Sequence, residues 1–369
     1  MNINIGMIGT GLIGLVHLLS LKIIIDENLI SEPDVHINIK TVMDIDEDKL
    51  NNLKRINPYD IERFTTNPEE LMKDKEIDVI YITTPTKFHK DYFIRAAEEG
   101  KNIFCEKPLA FSLENIKKMI SYEKKYGNLT QVGLPLRHSP VFWKINQIMM
   151  EKKEELGKRL SFSFRAIQEW PVESRTHRSD WRKNPDLAHA GCLYEHSIHD
   201  VDLIDYLFGN EFSISKLYAK IRFVSSITQN KIEDVANVNL GYRDGLIGCL
   251  ISIWNKAKID ERTIEIYFEN GSIFLNRYTG FSFNQFEYII KNKKTRLKRE
   301  EVYEEFLKSR NYPQIDPITG PFLFENLSFL KSMIKGESPY PGLEIGYRAH
   351  EIIERAYQSS RENKIINFD

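Results

Sequence analysis

Apolar and polar positions change period along this chain. Through the first third, short apolar runs of strand length alternate with longer segments of helical spacing. The pattern predicts strands over Asn2–Ile8, Ile37–Met43, Asp78–Thr83, Asn102–Cys105 and Leu129–Gly133. Between them it predicts helices over Leu12–Asp26, Glu47–Ile56, Lys90–Glu99 and Leu113–Tyr126. Such alternation argues for a parallel sheet covered on both faces. After about Gly133 the period becomes two. Strands are expected over Arg159–Glu169, Ser213–Val224, Val235–Tyr242, Leu246–Asn255, Thr263–Glu269, Ser272–Tyr278 and Phe283–Ile290, with hairpin signals at Asp244-Gly245 and Asn270-Gly271. Helices at about Phe322–Lys335 and Leu343–Arg361 close the chain, and the charged stretch Lys291–Glu305 reads as a solvated loop.

The expected fold is therefore α/β. A doubly wound parallel sheet of Rossmann type occupies residues 1–133, and residues 134–369 form an α+β domain with a large, mostly antiparallel open sheet. The length of 369 residues suits two domains. Lys and Arg number 51 against 53 Asp and Glu, a balance without the basic excess of a nucleic-acid binder. Cys105, Cys192 and Cys249 build no disulfide framework and suit a reducing compartment. The run Ile3–Ile25 is long and apolar, but four glycines, His17 and Lys22 interrupt it and no basic segment precedes it. A buried strand, turn and helix explain it better than a membrane span or export signal, so a soluble, cytoplasmic protein is expected.

The first chemical signal is Gly9-Thr10-Gly11-Leu12-Ile13-Gly14, which follows a strand and opens a helix. In that context the first glycine allows the tight turn, the second lets backbone approach a pyrophosphate, and the third lets helix pack on strand. The phosphates would sit at the helix N-terminus, where N–H groups and the dipole attract anions. Asp44 ends the second strand, where a carboxylate accepts ribose hydroxyls and repels a 2′-phosphate. This favours NAD over NADP, although Asp44 can also simply begin a turn.

Two further motifs follow. Thr84-Pro85-Thr86-Lys87-Phe88-His89 and Glu106-Lys107-Pro108 each come after a predicted strand, and Gly191-Cys192-Leu193-Tyr194-Glu195-His196-Ser197-Ile198-His199-Asp200-Val201-Asp202 lies in the second half. With the glycine turn, this order resembles the glucose–fructose oxidoreductase, inositol dehydrogenase and rhizopine-catabolism (MocA) family over nearly the whole chain. The resemblance implies NAD-dependent oxidation or reduction of sugar and cyclitol hydroxyls. It implies that Lys107 is the site lysine and His199 the proton-transferring histidine, with Thr84, Pro85, His89 and Glu106 lining the cofactor crevice and Arg137 near the cleft. The chemistry agrees, because a cation beside the oxygen stabilises alkoxide character and an imidazole exchanges a proton near pH 7.

Glu195 stands four residues before His199, so on one helix both share a face and the carboxylate can orient the ring. The family usually has Asp at this position, which leaves open whether Glu195 orients His199 or binds substrate. Asp202 falls on the same stripe, as a substrate ligand or as part of a local network. A metal site drawn from His189, Cys192, Glu195, His196 and His199 is the rival reading, but no zinc spacing is met, and none is expected. Arg175, His177, Arg178, Asp180, Trp181, Arg182 and Lys183 form a mostly cationic loop. Trp181 and Arg182 are candidates to contact a sugar, and the alternative is a solvated loop. The open sheet invites a homodimer or homotetramer. Two other functions share these motifs: an enzyme that retains its nicotinamide to cleave glycosides or exchange electrons between sugars, and a non-catalytic sensor.

Overall fold

A computed structural model describes every residue except 31, 33, 172–179, 185, 189, 210–212, 225–231, 258, 281, 316–319 and 369. The chain divides into two compact units, Met1–Pro135 with Pro317–Tyr347, and Leu136–Asp316 with Arg348–Asp369. Arg175, His177, Arg178 and His189 lie outside the described residues.

In the first unit, β1 (Asn2–Ile8), β2 (His36–Met43), β3 (Arg63–Thr65), β4 (Val79–Ile82), β5 (Asn102–Glu106) and β6 (Thr130–Gly133) form one parallel sheet. Its order is β3-β2-β1-β4-β5-β6, the doubly wound dinucleotide-binding arrangement. The helices α1 (Leu12–Asp26), α2 (Glu47–Ile56), α3 (Pro68–Met72), α4 (His89–Glu98) and α5 (Leu113–Tyr126) connect the strands. Local chemistry sets their ends. Asp46 caps α2 by accepting Lys49 N–H, Ser112 caps α5 by accepting Asn115 N–H, and Gly127 ends α5 at φ 72°. The β3–α3 pair escapes a periodicity reading because three- and five-residue elements are shorter than one full pattern.

Residues 317–347 return to this unit although they come late in the chain. Helix Pro321–Lys335 packs on α1, Pro341 O accepts Val132 N–H at 2.9 Å, and Leu343 joins the core under β4 and β5. A single boundary at residue 133 does not describe this return.

The second unit is built on a nine-stranded sheet. Its strands are β7 (Arg159–Glu169), β8 (Ile214–Arg222), β9 (Val235–Tyr242), β10 (Ile247–Asn255), β11 (Glu261–Phe268), β12 (Gly271–Tyr278), β13 (Gln285–Ile290), β14 (Lys293–Arg296) and β15 (Ile366–Asn367). The order is β14-β13-β12-β11-β7-β10-β9-β8-β15, antiparallel except for β7 beside β10. Helices α6 (Pro140–Glu151), α7 (Lys153–Leu156), α8 (Ile198–Phe208) and α9 (Arg299–Ser309) belong to this unit. Helix Pro321–Lys335 is α10, and α11 (Leu343–Glu362) runs from the first unit into the second.

The charged stretch expected as a loop is instead β14 and α9. β14 is an edge strand with three exposed cationic side chains, so no alternation marks it, and those charges protect the edge. α9 buries Val302, Tyr303, Phe306 and Leu307 behind its acidic surface. One face of the sheet meets α8 in a shared core, where Phe162 stacks on Phe208 at 4.4 Å. Gly248 makes room, since a Cβ there would stand 2.2 Å from the Phe162 ring. Phe208→Ala is expected to lower the unfolding free energy by about 3–5 kcal/mol in denaturant titrations, and a loss below about 1 kcal/mol would contradict this packing.

Candidate active site

The glycine turn rises from the carboxyl end of β1. Gly9 has φ 100°, and a Cβ there would stand 2.9 Å from Thr83 O. A Cβ on Gly14 would stand 2.3 Å from Gly9 O, so α1 approaches its own turn only because Gly14 has no side chain. Gly11 has open space around its missing Cβ. Leu12 is exposed and Ile13 half-buried at the start of α1. No side chain caps that helix and no acidic residue stands in its first turn. Thr10 is tied inward, its N–H and hydroxyl donating to Asp44 Oδ2 at 2.7 and 2.6 Å. Asp44 Oδ1 accepts Asp46 N–H at 3.0 Å, so Asp44 ends β2 with the turn role and a contact to the glycine loop together.

Thr84 and Pro85 follow β4, and His89 begins α4. The buried His89 ring holds two loops together, with Nε2 2.7 Å from Thr84 O and Nδ1 2.7 Å from Pro108 O. Burial pushes its pKa down against the pull of those carbonyls. Glu106 ends β5 with 3% exposure, and Lys107 beside it is half-buried. Glu106 Oε2 accepts Lys107 N–H at 3.1 Å, and Oε1 lies 2.9 Å from His17 Nε2. Asn326 of α10 donates to His17 Nδ1 at 3.0 Å, which leaves the ring proton on Nε2 to reach Glu106. A Cβ on Gly133 would stand 2.6 Å from Glu106 Oε1.

In the second unit, the segment expected as one helix is two. Cys192–His196 form a π-helical turn and α8 starts at Ile198, with Ser197 between them. Glu195 therefore sits on the wider turn and His199 on α8, and the four-residue offset does not carry the geometry of a continuous α-helix. Glu195 is buried, with Arg182 Nε 3.6 Å from its Oε2, and Arg182 lies over the Trp181 ring at 4.5 Å. His199 is half-buried. Arg137 and Asp202 form a buried bidentate pair, with contacts of 3.0, 2.9 and 2.7 Å. Burial pushes the Asp202 carboxyl up against the guanidinium that holds it down. His196 Nε2 faces Arg262 Nη2 at 3.1 Å, and Arg262 pairs with Asp200 at 2.7 Å. Among the described residues, no three His, Cys, Asp or Glu side chains gather to hold a metal ion. Nor is any described helix long and apolar enough to cross a membrane.

Residues 3–134 match an oxidoreductase family with an NAD-binding Rossmann fold, Gfo/Idh/MocA. Residues 149–274 match its C-terminal domain. The chain belongs to the Gfo/Idh/MocA oxidoreductase family. It is 28% identical over 271 residues to an uncharacterized oxidoreductase, YrbE, of Bacillus subtilis, covering 72% of each chain. It is 25% identical over 270 residues to a myo-inositol 2-dehydrogenase of Thermotoga maritima, covering 73% of this chain and 74% of that one. A levoglucosan dehydrogenase in complex with NADH and levoglucosan shares the fold at TM-score 0.84 and 22% identity over 100% of both chains.

The uncapped start of α1 and the open Gly11 fit the NAD of this family: backbone donors are present, and the space beside Gly11 is open among the described residues. His17, Asn326 and Gly133 are the residues that motif reading passes over. The signal for His17 is physical, because a histidine in an otherwise apolar buried helix needs a polar partner. Asn326 has no signal before the fold brings α10 to α1. His17→Leu is expected to cost about 2–3 kcal/mol by removing a donor from a buried carboxylate. His17→Gln, which keeps an N–H, should recover part of that loss in denaturant titrations. Equal losses in both variants would contradict the hydrogen bond.

Proposed function

We propose that this protein is an NAD-dependent dehydrogenase that moves hydride between nicotinamide and a secondary hydroxyl of a sugar, cyclitol or sugar derivative. The observation that carries this reading is Lys107 at the carboxyl end of β5, on the sheet edge from which the Gly9–Gly14 turn rises. Open parallel sheets bind their ligands outside that edge, at the switch point between β1 and β4. Relatives named for inositol and levoglucosan dehydrogenation support the substrate class.

NAD, when bound, supplies the hydride acceptor. The Lys107 ammonium binds the substrate oxygen and stabilises its developing negative charge. The His199 imidazole takes the hydroxyl proton and, in the reducing direction, returns it. Glu195 orients that ring, and Arg182 balances its buried charge, while Trp181 offers an apolar face to the sugar. Arg137 and Asp202 pair with one another, so in this reading they brace α8. Asp44 discriminates against the 2′-phosphate of NADP.

The test is NAD reduction screened over sugars, cyclitols and sugar acids. His199→Ala and Lys107→Ala are each expected to lower kcat about 10²–10⁴-fold on the best substrate. Full turnover in both variants would reject the assignment.

The sheet face with the partly exposed Ile247, Cys249, Ile251 and Ile253 of β10 supports a homodimer or homotetramer. Ile247 and Cys249 line a groove of about 440 Å³ there with Lys216, Tyr218 and Asn239 among others. Light scattering should give an oligomer for the native chain and a monomer for Ile251→Lys. A monomeric native chain would defeat this arrangement.

A further inference from the structure

Three consecutive backbone N–H groups open the π-helical turn that carries Glu195, and all three end on one residue. Gly191 N–H donates to Glu233 Oε2 at 2.7 Å, Cys192 N–H to Glu233 O at 3.0 Å, and Leu193 N–H to Glu233 Oε1 at 3.2 Å. The Tyr357 hydroxyl of α11 donates to Oε1 at 2.6 Å. A Cβ on Gly191 would stand 1.8 Å from Glu233 O, so this approach requires glycine there. Glu233 is 1% exposed and belongs to none of the motifs read from the sequence.

A π turn is rare and frequently sits at a functional site, and successive N–H groups form a concave anion-binding surface. Here the anion is the protein's own carboxylate. Ser197, where the π turn passes into α8, is fixed in turn by its hydroxyl to Ser252 at 2.8 Å. We infer that Glu233 is the positioning residue of the catalytic segment: it anchors the turn at Gly191–Leu193 and so sets where Glu195 and His199 stand. This inference rests on the dehydrogenase reading for its catalytic consequence, but the anchor itself does not.

Burial pushes the Glu233 carboxyl up to about 7, against the pull of the Tyr357 hydroxyl and the backbone donors. Among the described residues, the titratable groups around it are Tyr357 on α11, Cys192 and Tyr194 on the turn, and Asp234 next in sequence. Burial keeps the thiol and both phenols protonated. The sign for stability follows from linkage. With its folded pKa raised above the unfolded value, Glu233 holds extra proton in the folded state between about 4.5 and 7. Its contribution is fully present below that window and is lost as pH rises through it. Anchoring runs the other way, since the ionised carboxylate is the stronger acceptor. Catalysis should therefore gain from the same ionisation that costs stability.

The experiment compares the full-length native enzyme with Glu233→Gln and Tyr357→Phe. Amide hydrogen exchange at residues 191–193 should be at least tenfold faster in Glu233→Gln and moderately faster in Tyr357→Phe. On the best substrate of the panel, kcat should fall about tenfold or more in Glu233→Gln while the NAD dissociation constant stays unchanged. Across pH 5 to 7, the native folding equilibrium should weaken by up to about tenfold per pH unit relative to Glu233→Gln. Unchanged exchange overturns the anchor. Faster exchange with native kcat overturns the positioning role. Tyr357→Phe keeps the carboxylate and serves if Glu233→Gln fails to fold. A native enzyme without turnover on any panel member defeats the dehydrogenase reading, while exchange still decides the anchor.

Discussion

Glu106 ends a strand that is buried on both faces, and a carboxylate in that position must have every oxygen occupied. Much of the first unit is arranged around that requirement. The Lys107 N–H and the His17 ring supply the donors, Asn326 fixes which ring nitrogen carries the proton, and Gly133 on the neighbouring strand leaves the space. These partners come from four separate stretches of chain. The helix carrying Asn326 is contributed by residues far along the sequence, which gives a physical reason for the return of 317–347 to this unit. The strand end that bears Lys107 is thereby held from both sides, with His89 gripping Pro108 O.

The second unit meets the same constraint with the same means. Four of its buried carboxylates, Glu195, Asp200, Asp202 and Glu233, lie in or against the π turn and α8. Each is met by an arginine, a phenol or backbone N–H groups. Burying such groups gives little net stability compared with apolar packing of equal volume. Their value is specificity of placement, because a fully paired charge in a dry core tolerates only one arrangement. The stabilising work falls to the apolar face of the nine-stranded sheet, where Phe162 and Phe164 of β7 pack against Phe208 of α8.

Strong periodicity made the long elements legible. α1, α2, α5, β1, β7 and β9 begin and end where the pattern and the caps place them. The glycine turn and the Glu106-Lys107 step were legible too, since each is a local rule about backbone approach or strand termination. Elements too short or too exposed to show a period were not: β3, α3 and the edge strand β14 carry no alternating burial for the sequence to record. The break at Ser197 was hidden for a different reason. A π turn has the same residue types as an α-helix, and what selects it here is Glu233 on another segment.

By itself, then, the sequence determined the parallel first unit, the sheet-rich second one and the dinucleotide turn, and it supplied the candidate residues for the reaction proposed above. Those follow from near-neighbour chemistry: period, capping, glycine and proline. Only the tertiary structure decided that Arg137 pairs with Asp202, that Glu195 faces Arg182, and that His17 and Glu233 are bonded to the two motifs. Those pairings join residues that stand well apart in the chain, up to 89 positions for His17 and Glu106. A buried charge selects its partner by distance in space, and one-dimensional spacing carries no record of that distance.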